Sequence, residues 1–70
     1  MGIDRLTARQ QEVADLLAQG LSNKEIAREL NIAHGTVKVH LYEIFQKCGV
    51  SSRTRLARLL VLAASGKSPY

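Results

Sequence analysis

The chain has 70 residues with one cysteine, and ten Lys and Arg stand against six Asp and Glu, a net charge of +4 with a sequence pI near 9.7. That length supports one small domain with a modest core. The lone Cys48 excludes an internal disulfide framework and fits a reducing cytoplasm, no apolar run reaches the ~20 residues of a membrane-spanning helix, and the basic balance suits a polyanionic partner.

A first helix is predicted to open at Leu6-Thr7-Ala8-Arg9-Gln10. Thr7 is placed to cap the free amides and Gln10 to reach back, the capping-box pattern. Val13, Ala14, Leu16 and Leu17 form its inward face, and Gly20 supplies a left-handed residue to end it. Ser22-Asn23-Lys24-Glu25 is a second capping box. It starts a short helix with Ile26, Ala27 and Leu30 inward, and Asn31 can take the left-handed terminal conformation. Ile32 is expected to pack beneath the turn.

Residues 33–48 carry the most informative pattern. Val37, Leu41, Ile44 and Cys48 are spaced 4, 3, 4 and share one helical stripe. Residues 37–42 also alternate with period 2, as a half-buried strand would. The alternation fails where Ile44 and Phe45 are adjacent, whereas the helical stripe continues to Cys48. Gly35, Lys38, Val39, Tyr42 and Gln46 fall on the opposite side. An ordinary solvated face rarely carries a β-branched apolar residue. A helix lying in a DNA major groove has a use for one, because thymine methyls sit beside donor and acceptor edges there. The start of this helix is weak. Ala33 offers no capping oxygen, a loss of about 1 kcal/mol, and Gly35 in the first turn costs up to ~1 kcal/mol more. An anion docked at this end would compensate. Gly49 closes the helix.

Ser51-Ser52-Arg53-Thr54 opens a fourth helix, over about residues 52–65. Leu56, Leu59, Leu60 and Ala63 form its core stripe. Val61 and Leu62 fall off that stripe, so the helix is apolar around more of its circumference than one small core needs. Gly66 is expected to end it. Residues 1–4 read as a disordered start and 66–70 as a flexible tail. All four segments are helical and the connections short. The second and third helices are separated by only a few residues around Asn31-Ile32-Ala33, a helix-turn-helix layout.

Leu6-Thr7-x-Arg9, Gly20-Leu21-Ser22-Asn23-Lys24-Glu25-Ile26-Ala27, Thr36-Val37-Lys38-x-His40 and Gly49-Val50-x-Ser52-Arg53-Thr54 closely resemble the LuxR-type (GerE-like) DNA-binding domain of bacterial transcription regulators. The resemblance runs over about residues 5–64, with several motifs in the right order. It implies an all-α, four-helix domain at residues 5–65, with the helix-turn-helix at about 23–42. It also implies base reading from Lys38, Val39 and Tyr42, and phosphate contacts near Asn23, Lys24, Thr36 and Lys47. Dimerisation through the fourth helix is implied as well, which makes Leu59, Val61 and Leu62 the candidates. Gln10 stands where the family usually has glutamate, Ala33 where a serine commonly caps, and Arg55 where an acidic or amide residue is frequent.

Each residue has a plainer alternative. Lys38 can donate to guanine O6 or N7 or be a solvated lysine. Val39 meets a thymine methyl or packs, and Tyr42 serves an interface or covers the core edge. Thr36 grips a phosphate or replaces the missing cap. Asn23 and Lys24 at a helix start, and more weakly Arg53 and Lys47, read as phosphate contacts or as surface charge. His34 is a groove contact or an exposed loop residue, and His40, between the two faces, packs or bonds a phosphate. His34, His40 and Cys48 match no zinc spacing, so no metal and no cofactor is expected. No Gly-rich phosphate loop follows a strand pattern, and no nucleophile lies beside a base and its orienter, so there is no enzyme signature.

The reading is a sequence-specific double-stranded DNA-binding domain of a cytoplasmic bacterial transcription regulator. It would act as a homodimer on a two-fold site, with a possible upstream receiver or ligand-sensing domain and no membrane. The rival is a helical interaction module whose fourth helix, or Val39 and Tyr42 face, binds protein.

Overall fold

Side-chain capping explains where three of the four helices begin, the first, second and fourth. The computed structural model describes residues 5–65, with side-chain environments through residue 63. The expected disordered start (1–4), the helix-ending Gly66 and the tail (66–70) lie outside the described residues. Four helices run in order: α1 (Ala8–Ala18), α2 (Asn23–Leu30), α3 (His34–Cys48) and α4 (Arg53–Ser65). Thr7 caps α1, and Thr7 Oγ1 accepts from the Gln10 N–H while Gln10 Oε1 accepts from the Thr7 N–H, both at 3.1 Å. Ser22 and Glu25 repeat the box on α2, at 3.2 and 2.8 Å. Ser52 Oγ accepts from the Arg55 N–H at 3.2 Å, which holds the first turn of α4.

The first three helices end the same way. Gly20 (φ 96°), Asn31 (φ 56°) and Gly49 (φ 70°) adopt left-handed backbone. The next amide in each case reaches back five residues: Leu21 to the Leu16 carbonyl, Ile32 to Ala27 and Val50 to Phe45, at 3.0 to 3.2 Å. These bonds satisfy carbonyls that a helix end otherwise leaves open. They also reverse the chain within two or three residues, so the helices fold back on one another.

α1 is the centre of the packing. It meets α2, α3 and α4, and α2 also meets α3. The core combines Val13, Ala14 and Leu17 of α1, Ile26 and Ala27 of α2, Val37, Leu41 and Ile44 of α3, and Leu56 and Leu60 of α4. Full burial of a Val, Leu or Ile side chain stabilises by about 1.5–3 kcal/mol. A domain this small therefore depends on nearly all of these residues. The stripe of α3 is buried as its spacing predicts, with Cys48 partly buried at its end. Desolvation raises the Cys48 thiol above its ordinary pKa, as for a small residue at a core edge. On α4, Leu56 and Leu60 are buried, whereas Leu59 and Ala63, expected in the same stripe, are half-buried. Among the described residues no helix is long and apolar enough to cross a membrane.

Glu25 gives the fold a pH signature. Hydrogen bonds from Ser22, first the backbone N–H and then the hydroxyl, lower its carboxyl below the ordinary 4.5. A depressed carboxyl contributes stability above its unfolded value and loses it as pH falls through the folded one. We expect Glu25→Gln to lose less stability than the parent chain between about pH 5 and pH 3, followed by circular dichroism melts. Identical pH profiles would show that the carboxylate contributes nothing to this cap.

Candidate nucleic-acid interface

The burial of one α3 face decides what the other presents. Helical residues turn by about 100° each, so a helix that buries Val37, Leu41 and Ile44 must aim Lys38, Val39 and Tyr42 outward. Val39 is 57% exposed and Tyr42 63%, beside an exposed Lys38. An exposed valine and tyrosine flanking a lysine can offer apolar, hydrogen-bonding and cationic chemistry along one helix face.

This face runs into an open groove of about 330 Å³ lined by Asn23, Lys38, Leu41, Tyr42, Phe45, Ser51 and Arg53. The groove joins three elements: the first turn of α2, the middle of α3 and the entry to α4. Its two charged residues, Lys38 and Arg53, are both cations. Arg53 is anchored on one side: it donates from Nη1 to Asn23 Oδ1 and from Nη2 to the Leu21 carbonyl, the latter at 2.7 Å. These bonds tie the start of α4 to the start of α2. They also occupy the Asn23 oxygen and leave its amide N–H groups as the free donors. The sequence reading placed Asn23 and Arg53 separately at a phosphate and missed that they bond each other. It also missed Ser51, whose exposed position beside a helix start was the available signal.

The remaining candidates divide. Lys24 is exposed in the first turn of α2, and His34 and Thr36 are exposed in the first turn of α3. No side chain caps α3. Ala33 is its N-cap, and the Thr36 and Val37 amides fold back to the Ala33 carbonyl at 3.0 and 3.2 Å. The Thr36 hydroxyl forms no cap, so of its two expected roles the replacement cap is not taken up. Lys47 is placed differently. It lies nine residues from Lys38, about two and a half turns, and so faces the opposite side. Its ammonium donates to Gln10 Oε1 at 2.8 Å and to the Arg5 carbonyl at 3.2 Å. His40 is half-buried, with Nδ1 shut from solvent and without a hydrogen-bond partner among the described residues. Among the described residues, no three or more His, Cys, Asp or Glu are grouped to hold a metal ion. Val61 and Leu62 are exposed on α4, at 49% and 61%, with Leu59 half-buried beside them.

Two helices joined by a tight turn, the second presenting a cationic and apolar outer face, define a helix-turn-helix domain. The family profile described as "GerE: Bacterial regulatory proteins, luxR family" matches residues 4–60, and the chain belongs to this family of transcription regulators, not of enzymes. It is 49% identical to the transcriptional regulatory protein UhpA of Escherichia coli K12 over 55 residues, 79% of this chain and 28% of UhpA. The CsgBAC operon transcriptional regulatory protein of the same strain is 50% identical over 50 residues, 71% of this chain and 23% of that protein. The nitrate/nitrite response regulator protein NarL, also of that strain, is 44% identical over 55 residues, 79% of this chain and 26% of NarL. The chain spans under a third of the length of the curated relatives it matches.

The uncapped start of α3 is open to direct repair. Ala33→Ser supplies an oxygen at a position whose backbone is already extended (φ −69°, ψ 148°). A restored cap is worth about 1 kcal/mol, so the variant is expected to melt roughly 4–8 °C higher. A melt without gain would mean that the first turn of α3 is held by something other than its cap.

Proposed function

We propose that this chain binds double-stranded DNA sequence-specifically, with α3 in the major groove. The observation that carries this is the outward face of α3, where Val39 and Tyr42 stand exposed beside Lys38 while the opposite stripe is buried. Lys38 donates to guanine O6 or N7, Val39 packs on a thymine methyl, and the Tyr42 ring and hydroxyl meet a base edge or sugar. Around them, Asn23, Lys24, Thr36 and His34 offer donors to phosphates and set the register. Arg53 backs Asn23 from behind and adds positive charge to the groove. The open first turn of α3 leaves amides for a phosphate to accept.

The active unit is a homodimer on a two-fold site. Leu59, Val61 and Leu62 of α4 give a small apolar surface that a second copy covers, with half-sites about one helical turn apart, ~34 Å centre to centre. The setting is a cytoplasmic bacterial regulator. The relatives are more than three times longer than the matched stretch, and one of them is called a response regulator. Both facts support a receiver or ligand-sensing domain elsewhere in the full regulator.

Two variants separate the DNA face from the dimer face. Lys38→Ala is expected to weaken binding to a preferred duplex by about 10-fold and leave self-association unchanged. Leu62→Asp is expected to abolish dimers and lower affinity for the two-fold site. Fluorescence anisotropy and sedimentation velocity read the two effects. Full affinity in Lys38→Ala would remove α3 from the groove, and intact dimers in Leu62→Asp would remove α4 from the subunit contact.

A further inference from the structure

Gln10 is the one buried polar side chain among the described residues, 4% exposed. Its carboxamide lies between an anion and a cation one turn apart on α3. Nε2 donates to Glu43 Oε1 at 2.7 Å. Oε1 accepts from Lys47 Nζ at 2.8 Å and from the Thr7 N–H at 3.1 Å. Lys47 also reaches the Arg5 carbonyl at 3.2 Å. The donor end of the amide thus faces the carboxylate and the acceptor end faces the ammonium. A carboxylate at residue 10 would accept from Lys47 and Thr7 equally well, but it has no hydrogen to offer Glu43. It would face a second carboxylate at hydrogen-bond distance.

We propose that Gln10 is a positioning residue for the DNA-facing helix, matched as an amide to Glu43 and Lys47, and that Lys47 serves as a tether and not as a phosphate contact. The positioning role rests on the DNA reading above. The apolar stripe of α3 by itself resists rolling about the helix axis only weakly, because greasy contacts are not directional. Residues 43 and 47 lie together on one flank of that stripe and Lys38 on the other, at about 100° per residue. Bonds from the start of α1 to residues 43 and 47 fix the roll of α3. The same roll sets where Lys38, Val39 and Tyr42 point. The amide also satisfies the α1 cap, so one side chain couples the first turn of α1 to the far half of α3.

The test combines melting curves at pH 7 and pH 5 with DNA binding across a salt series, all on the 70-residue chain. Gln10→Glu is expected to melt about 4–8 °C below the parent at pH 7. It should recover at pH 5, where the two carboxylates share a proton. The sign follows from the raised folded pKa of such a pair: stability is present below it and lost as pH rises through it. Exchanging the partners, Gln10→Glu with Glu43→Gln, restores a donor facing an acceptor and should return the melting temperature at pH 7 and remove its pH dependence. Gln10→Glu melting at or above the parent at both pH values would overturn the match, as would failure of the exchanged pair to recover.

For Lys47→Met, affinity for DNA should fall about 5-fold with the slope of log K against log salt unchanged. A slope reduced by about 0.9 would make Lys47 a phosphate contact and overturn the tether. A parent chain without salt-dependent DNA affinity would overturn the DNA reading and the positioning role with it, while the melting curves would still decide whether Gln10 is matched to Glu43.

Discussion

One helix has to satisfy two opposed demands. α3 must bury Val37, Leu41 and Ile44 for a small chain to have a core at all, and it must leave the far side bare. Nothing else in the fold escapes this constraint. α1 lies across the other three helices because it supplies the surface against which α3 is seated. α2 is eight residues long and packs on both, which leaves its first turn beside the exposed face. α4 closes the core with Leu56 and Leu60, and through Arg53 it grips the start of α2.

The distribution of helix caps follows the same logic. α1 and α2 carry reciprocal capping boxes and α4 has Ser52, whereas α3 has no side-chain cap. The three caps satisfy amides in the first turns of α1, α2 and α4. The uncapped start lies at the candidate interface, where free amides are useful to a phosphate and where a cap would compete for them.

The four helices were legible from the sequence because their signals are local. Thr7/Gln10 and Ser22/Glu25 announce starts, and Gly20, Asn31 and Gly49 announce stops. The 4, 3, 4 spacing of the α3 stripe separates a helix from the competing period-2 strand. The outward direction of Lys38, Val39 and Tyr42 follows from that stripe alone. What the sequence hides is contact between distant elements. Gln10 reads as a cap and a departure from the family's glutamate, yet the structure makes it a bridge to Glu43 and Lys47, more than thirty residues away. Its amide donates to Glu43 and accepts from Lys47. Arg53 and Asn23 read as two separate surface groups, and their pairing depends on how α4 returns to α2. Lys47 shows the same limit: its charge and family position suggest a phosphate, and its angular position on α3 turns it toward α1.

The claim that most depends on measurement is that the outer face of α3 is the one that meets DNA. Titrating a ¹⁵N-labelled chain with short duplex DNA, and following each backbone amide by NMR, tests it directly. The account predicts perturbations concentrated at residues 34–42 and at 23–24, with Gln11, Glu12 and Asp15 on the exposed side of α1 undisturbed. Perturbations centred on α1 or on residues 61–62, with residues 34–42 silent, would contradict it.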